Sequence, residues 1–194
     1  MAQITMSLDA RMYKSNKKKG IIIMSTILLE RKKIRNRDFF ARPADQVAKD
    51  LLGKIICRKM GDKFIMRGRI TETEAYFGEE PFCYGYGDEK PKNKSAIFYS
   101  VGTVCHYADM LMISCLGDDR PDNVLIRSVD LHSGPVKTVE ALDITEDLNR
   151  EDLTVSEVIW LEDDGAKVES TASERVHIRS DAKYNFKVTS VTLA

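Results

Sequence analysis

Apolar and polar positions change period several times along this chain. In RDFFARPADQVAKDLLGKII, Val47, Leu51 and Leu52 recur at helical spacing; Pro43 suits a first helical turn and Gly53 a stop, which predicts a helix. KIICRKM and FIMRGRITETEAYF, joined by Gly61-Asp62-Lys63, predict a β-hairpin whose second strand is long. GEEPFCYGYGDEKPKNKS, rich in Gly, Pro and Lys, reads as a surface loop. A second hairpin is predicted from GTVCHYA and MLMISC around Ala108-Asp109. After it come a turn in GDDRPD, a strand in NVLIRSV, and a helix opened by Ser133-Gly134-Pro135 that carries Val136, Val139, Ala141 and Leu142. Further on the pattern weakens: a short helix is expected near Ser156 to Leu161, a polar linker through Ala172, and strands at Arg175 to Arg179 and Asn185 to Leu193. Strands that follow one another without crossover helices imply a mostly antiparallel sheet in an α+β domain.

Within the long strand, RITETEAYFG places Glu72, Glu74 and Tyr76 at alternate positions, hence on one face, close to Arg67 and Arg69. Two carboxylates and a phenol on one side of a strand ask for a chemical use. With 194 residues, 43% hydrophobic and 31% charged, the chain has the size and composition of one globular domain. Its formal charge of zero hides an asymmetry: residues 1–42 hold 11 Lys and Arg against 3 Asp and Glu. Residues 1–36 are therefore read as a basic, partly disordered N-terminal extension and 37–194 as the domain. A basic arm suits a polyanionic partner, and ERKKIRNR and KPKNKS offer cations for phosphates. The apolar run in KKKGIIIMSTILLERKK is too short to span a bilayer, so no membrane partner is expected. Cys57, Cys83, Cys105 and Cys115 form no C-x-x-C pair; they are read as reduced, intracellular thiols, and no metal site is expected.

A strand carboxylate beside an aromatic, a hairpin offering Tyr107, and an arginine in VLIRSV make a coherent pocket kit. RDFFARPADQVAKDLLGKII, GRITETEAYFG, VGTVCHY, NVLIRSVD, SGPVKTVEALDI and REDLTVSEVIWLE resemble, in that order, segments of the alkyladenine (3-methyladenine) DNA glycosylase family. The similarity runs from about Arg37 to Gly165, with a weaker continuation at SERVHI. The resemblance implies a single α+β domain with a curved, mostly antiparallel sheet flanked by short helices. It implies a monofunctional base-excision enzyme that flips an alkylated purine out of double-stranded DNA and hydrolyses its N-glycosidic bond, as a monomer in the cytoplasm, without cofactor.

By the same resemblance Glu74 activates the attacking water, Arg127 holds that water, and Tyr76 and Tyr107 stack on the flipped base. Three departures from the family stand out. Tyr84 takes the place of a histidine, and Met112 that of an asparagine that crowds guanine. The hairpin tip ADML is shorter than the family's wedge-bearing tip, which leaves Met110 or Leu111 as candidate wedges. Glu72 is expected to pair with Arg67 or Arg69, and no lysine is expected at a catalytic position. A DNA-binding homologue without catalysis and a nucleoside hydrolase on the same scaffold are the alternative readings.

Overall fold

The computed structural model describes residues 31–62, 64–86, 96–116 and 120–193. Most of the expected basic extension, residues 1–30, and the KPKNKS run lie outside them. Among the described residues the chain forms strands β1 (Lys32–Lys33), β2 (Ile55–Met60), β3 (Phe64–Tyr76), β4 (Val104–Tyr107), β5 (Met110–Ser114), β6 (Asn123–Val129), β7 (His132–Ser133), β8 (Ile159–Asp163), β9 (Lys167–Ser173) and β10 (Asn185–Thr192). Two α-helices join them, α1 (Ala44–Leu51) and α2 (Pro135–Ala141). Every strand pairing is antiparallel, in the order β1-β8-β2-β3-β6-β5-β4, with β10 added beside β3 and β9 beside β10. The fold is the α+β class that consecutive strands imply: one curled antiparallel sheet with two short helices.

β3 organises the sheet because its length lets it serve three partners. Phe64–Arg69 pairs with β2, while Glu72, Thr73 and Glu74 have β6 on one edge and β10 on the other. α1 lies across this strand, with Val47, Ala48 and Leu51 fully buried, and Thr73 Oγ1 donates to the Ala48 carbonyl at 2.9 Å. Ile70, Ala75, Leu111, Ile113, Val124, Ile126 and Val129 complete the main core. A smaller cluster, Ala96, Ile97, Phe98, Cys105, Met112 and Leu125, packs on the opposite face of β4, β5 and β6.

Three local expectations are corrected. Ser156 to Leu161 enters strand β8 rather than a helix. Ile159 and Leu161 enter the main core while Trp160 packs with Ile55 and Cys57, so both faces are buried and no polar alternation marks the strand. The polar linker contains β9, an exposed strand with no apolar face, which backbone pairing to β10 holds in place. Residues 175–179 form no strand and instead fold back over β3. The sheet also begins before Arg37: β1 pairs with β8, and Ile34 N–H donates to the Leu161 carbonyl at 2.9 Å.

The basic run after Glu30 is tied down. Lys33 and Arg35 pair with Glu157, Arg37 with Asp152, and Arg42 with Asp50. Arg67 and Arg69 reach Glu162 and Asp164. Asp164 is 1% exposed at its side chain and receives both forks of Arg69; those hydrogen bonds, against the opposing effect of burial, hold its carboxyl below the ordinary 3.8. A depressed carboxyl stabilises the fold above its unfolded value and loses that contribution as pH falls through its folded value. Asp164→Asn is expected to cost about 2–4 kcal/mol in urea denaturation at pH 7, because it strands a mostly buried arginine. The gap from wild type should narrow as pH falls below about 4, the range of an unperturbed carboxyl.

Candidate active site

Sequence alternation alone puts Ile70 on the same face as Glu72 and Glu74, yet Ile70 lies in the core. The register resolves this. Ile70 pairs with Val129, Glu72 with Ser128, and Thr73 with Ile126, so Thr71 on β3 and Arg127 on β6 are each extra residues without a partner. The two bulges compensate each other. Before them Gly68 and Ile70 face the core; after them Thr73 and Ala75 do, leaving Glu72, Glu74 and Tyr76 together on the other face, as expected. On β6 the bulge lets two consecutive residues reach one carboxylate: Arg127 Nε donates to Glu72 Oε1 at 3.2 Å and Ser128 Oγ to Glu72 Oε2 at 2.8 Å.

Glu74 is 1% exposed. Its Oε1 accepts from Val176 N–H at 2.8 Å and Asn185 Nδ2 at 3.0 Å, and its Oε2 accepts from the Tyr76 hydroxyl at 2.9 Å. A carboxylate offers about four acceptor positions, so one remains on Oε2. Arg127 Nε stands 3.8 Å from Glu74 Oε1, outside hydrogen-bond range, and its terminal nitrogens have no hydrogen-bond partner among the described residues. Arg127 thus stands beside the carboxylate with its terminal nitrogens unpartnered among the described residues.

Glu72 does not pair with Arg67 or Arg69, because Glu162 and Asp164 take those arginines. Its partners are Arg127, Ser128, Asn185 Nδ2 at 2.9 Å and Lys187 Nζ at 3.5 Å. Burial pushes its carboxyl up, but the Asn185 and Ser128 hydrogen bonds and the Lys187 and Arg127 charges outweigh it and hold the carboxyl below its ordinary 4.5. Lys187, which sequence reading did not place here, thus borders the site with its side chain 58% exposed.

Tyr76 is half-buried; burial, then the Glu74 charge and hydrogen bond, push its hydroxyl well above 10, so it stays a donor. Arg175, 2% exposed, lies 4.9 Å from the Tyr76 ring centre and 5.3 Å from that of Tyr184, and donates to the Ala75 carbonyl and to Glu80. One face of Tyr76 is thus occupied by a guanidinium. Tyr84 and Tyr107 stack on each other, ring centres 4.6 Å apart. Tyr76, Tyr84 and Met110 all pack against the smaller cluster that contains Met112. Gly85 makes this possible: its φ is +101°, and a Cβ there would meet Pro121 at 2.9 Å and Phe98 at 3.1 Å, so only glycine lets the loop press Tyr84 down.

The hairpin tip between Tyr107 and Met110 is a tight two-residue turn, with Ala108 and Asp109 both at positive φ. Of the two expected wedge candidates, Leu111 is fully buried in the main core, out of reach of a duplex, whereas Met110 is half-buried. Asn185 and Arg175 were missed from sequence; each is an isolated polar residue in a segment without periodicity, and only the return of the chain to β3 brings them in. Among the described residues no group of three or more His, Cys, Asp or Glu is placed to hold a metal ion, and no helix is long and apolar enough to cross a membrane.

Known proteins are similar to this chain. The profile of the methylpurine-DNA glycosylase family matches residues 38–134, from the segment before α1 through both carboxylates and Arg127. A relative in Sodalis glossinidius, by name a 3-methyladenine DNA glycosylase, is 34% identical over 79% of this chain and 96% of its own. One in Encephalitozoon cuniculi, by name a DNA-3-methyladenine glycosylase, is 30% identical over 75% of this chain and 82% of its own. The mouse DNA-3-methyladenine glycosylase is 28% identical over 64% of this chain and 47% of its own. Similarity of this extent, running through the strand pair that builds the site, shows that the chain belongs to the methylpurine-DNA glycosylase family.

Proposed function

We propose that this protein is a DNA glycosylase that releases alkylated purines from double-stranded DNA after base flipping, with water as the nucleophile and Glu74 as the base. The observation that carries the reading is Glu74 itself: a carboxylate buried at the centre of the sheet, with three donors fixing it and one acceptor position unused among the described residues, next to Arg127. A water held between that oxygen and the Arg127 guanidinium passes a proton to Glu74 as its oxygen attacks C1′ of the deoxyribose. The electrons of the glycosidic bond leave with the base. A cationic alkylpurine departs neutral, so it needs no general acid.

The other half of the pocket suits such a base. Tyr76 offers its remaining face, with the Tyr84–Tyr107 pair as further wall and buried Met112 backing them within the smaller cluster, and π faces attract a cationic ring. Met110 at the rim is the candidate wedge, and a two-residue tip leaves it little reach into a duplex. That limit favours lesions whose pairing is already weakened, since unstacking then costs less. We take the protein to act as a monomer inside the cell. Its four cysteines are buried and form no disulfide, in keeping with a reducing compartment.

Single-turnover base release from a duplex holding one alkylated purine is expected for the wild type. Glu74→Gln should lose it by about 100-fold or more while still binding the duplex. A wild type that binds and releases nothing overturns the reading in favour of a binding protein; release from free nucleosides that DNA does not stimulate favours a nucleoside hydrolase. With hypoxanthine, a neutral base that departs as an anion unless protonated, the same assay should run far more slowly, and equal rates would remove the cationic preference.

A further inference from the structure

Glu72 takes no part in the hydrolysis just described, yet it is an ionised carboxylate 5% exposed at the middle of the site. Burying such a charge is costly unless donors surround it. Four donors do, and two of them also attend Glu74. Asn185 Nδ2 is shared between Glu72 Oε1 at 2.9 Å and Glu74 Oε1 at 3.0 Å. Arg127 Nε is 3.2 Å from Glu72 and 3.8 Å from Glu74. The arginine thus stands between two carboxylates and bonds the one that does no chemistry.

We infer that Glu72 is a positioning residue that holds Arg127 by Nε and so keeps its guanidinium from closing onto Glu74. The inference rests on the hydrolytic reading above. Without the Glu72 charge, the nearest carboxylate to Arg127 is Glu74, and a shift of less than an ångström turns 3.8 Å into a direct ion pair. That pair makes Glu74 a weaker base and draws the guanidinium away from the place where it would hold the water. Loss of the Glu72 charge acts in the same direction by removing a neighbouring anion. The other groups around Glu74 are accounted for: Tyr76 on β3 donates to it, Lys187 on β10 faces Glu72, and Arg175 after β9 lies over Tyr76 and pairs with Glu80.

The test is a double-mutant cycle on single-turnover base release, with Glu72→Gln, Arg127→Gln and both together. Glu72→Gln is expected to slow release by about 10- to 100-fold, the scale of a misplaced catalytic group, while duplex binding holds. Its rate should fall off at lower pH than that of the wild type. In the Arg127→Gln background the same change should add little, because the group it restrains is gone. Equal fold-losses in both backgrounds, or an unaltered rate and pH profile for Glu72→Gln, overturn the inference. If Glu72→Gln does not fold, Glu72→Asp substitutes: withdrawing the carboxylate by one methylene should slow release in a way that again depends on Arg127, and independence overturns it. Glu74→Gln run alongside separates the two levels. Full activity there removes the hydrolytic reading itself, whereas its loss together with independent effects at Glu72 and Arg127 removes only the positioning role.

Discussion

Everything in the site depends on two compensating bulges, at Thr71 in β3 and Arg127 in β6. A strand has a side-chain period of two, so any strand whose first half feeds the core with even positions must keep doing so unless a residue is inserted. Gly68 and Ile70 do feed the core, and Glu72 and Glu74 do not. One extra residue on β3 makes that change of face. A second on β6 restores the ladder, and Glu74 pairs with Leu125 in ordinary register. The ladder is disturbed where the two carboxylates and Arg127 come together, in line with the tendency of bulges to re-aim side chains.

The electrostatics follow from that geometry. Two acids come to one spot because they are two residues apart on one face, and the protein answers with Arg127 from β6 and Lys187 from β10, plus neutral donors from Ser128, Asn185 and the Val176 backbone. The division of labour is uneven. Glu72 receives both cations at close range; Glu74 receives only neutral donors within hydrogen-bond distance. The close cations and hydrogen bonds hold the Glu72 carboxyl low, and they leave Arg127 outside hydrogen-bond distance of Glu74.

How much of this is legible in the sequence depends on whether a residue's signal is local. Helix α1, the long strand, the two-residue hairpin and the strand NVLIRSV declare themselves through spacing and turn chemistry, and Glu74, Tyr76, Tyr107 and Arg127 lie on those strands. β8 is illegible because both of its faces are buried, and β9 because neither is. Asn185 and Arg175 sit in the C-terminal stretch, where nothing in the neighbouring residues foretells that the chain returns to β3. Their assignment comes from contacts that span about a hundred positions in sequence. The expected pairing of Glu72 with Arg67 or Arg69 fails for a related reason: proximity in sequence offered those arginines, while β8 and the turn after it supply Glu162 and Asp164 from afar.

The aromatic half of the site shows how the short tip and the substituted loop belong together. Tyr107 is half exposed at the end of β4, where a two-residue turn gives it no flanking chain to lean on. Tyr84 supplies that support by stacking on it, and Tyr84 can do so only because Gly85 lets the loop press against Pro121 and Phe98. A smaller ring at position 84 would offer less area to that stack, so the tyrosine there and the short tip compensate each other. Tyr76 is held independently, with its hydroxyl on Glu74 and Arg175 against one face. Tyr76 is therefore tied to Glu74, whereas the Tyr84–Tyr107 pair rests on a loop and a turn. In the proposed reaction the first would set position at the reacting bond and the second which bases are admitted.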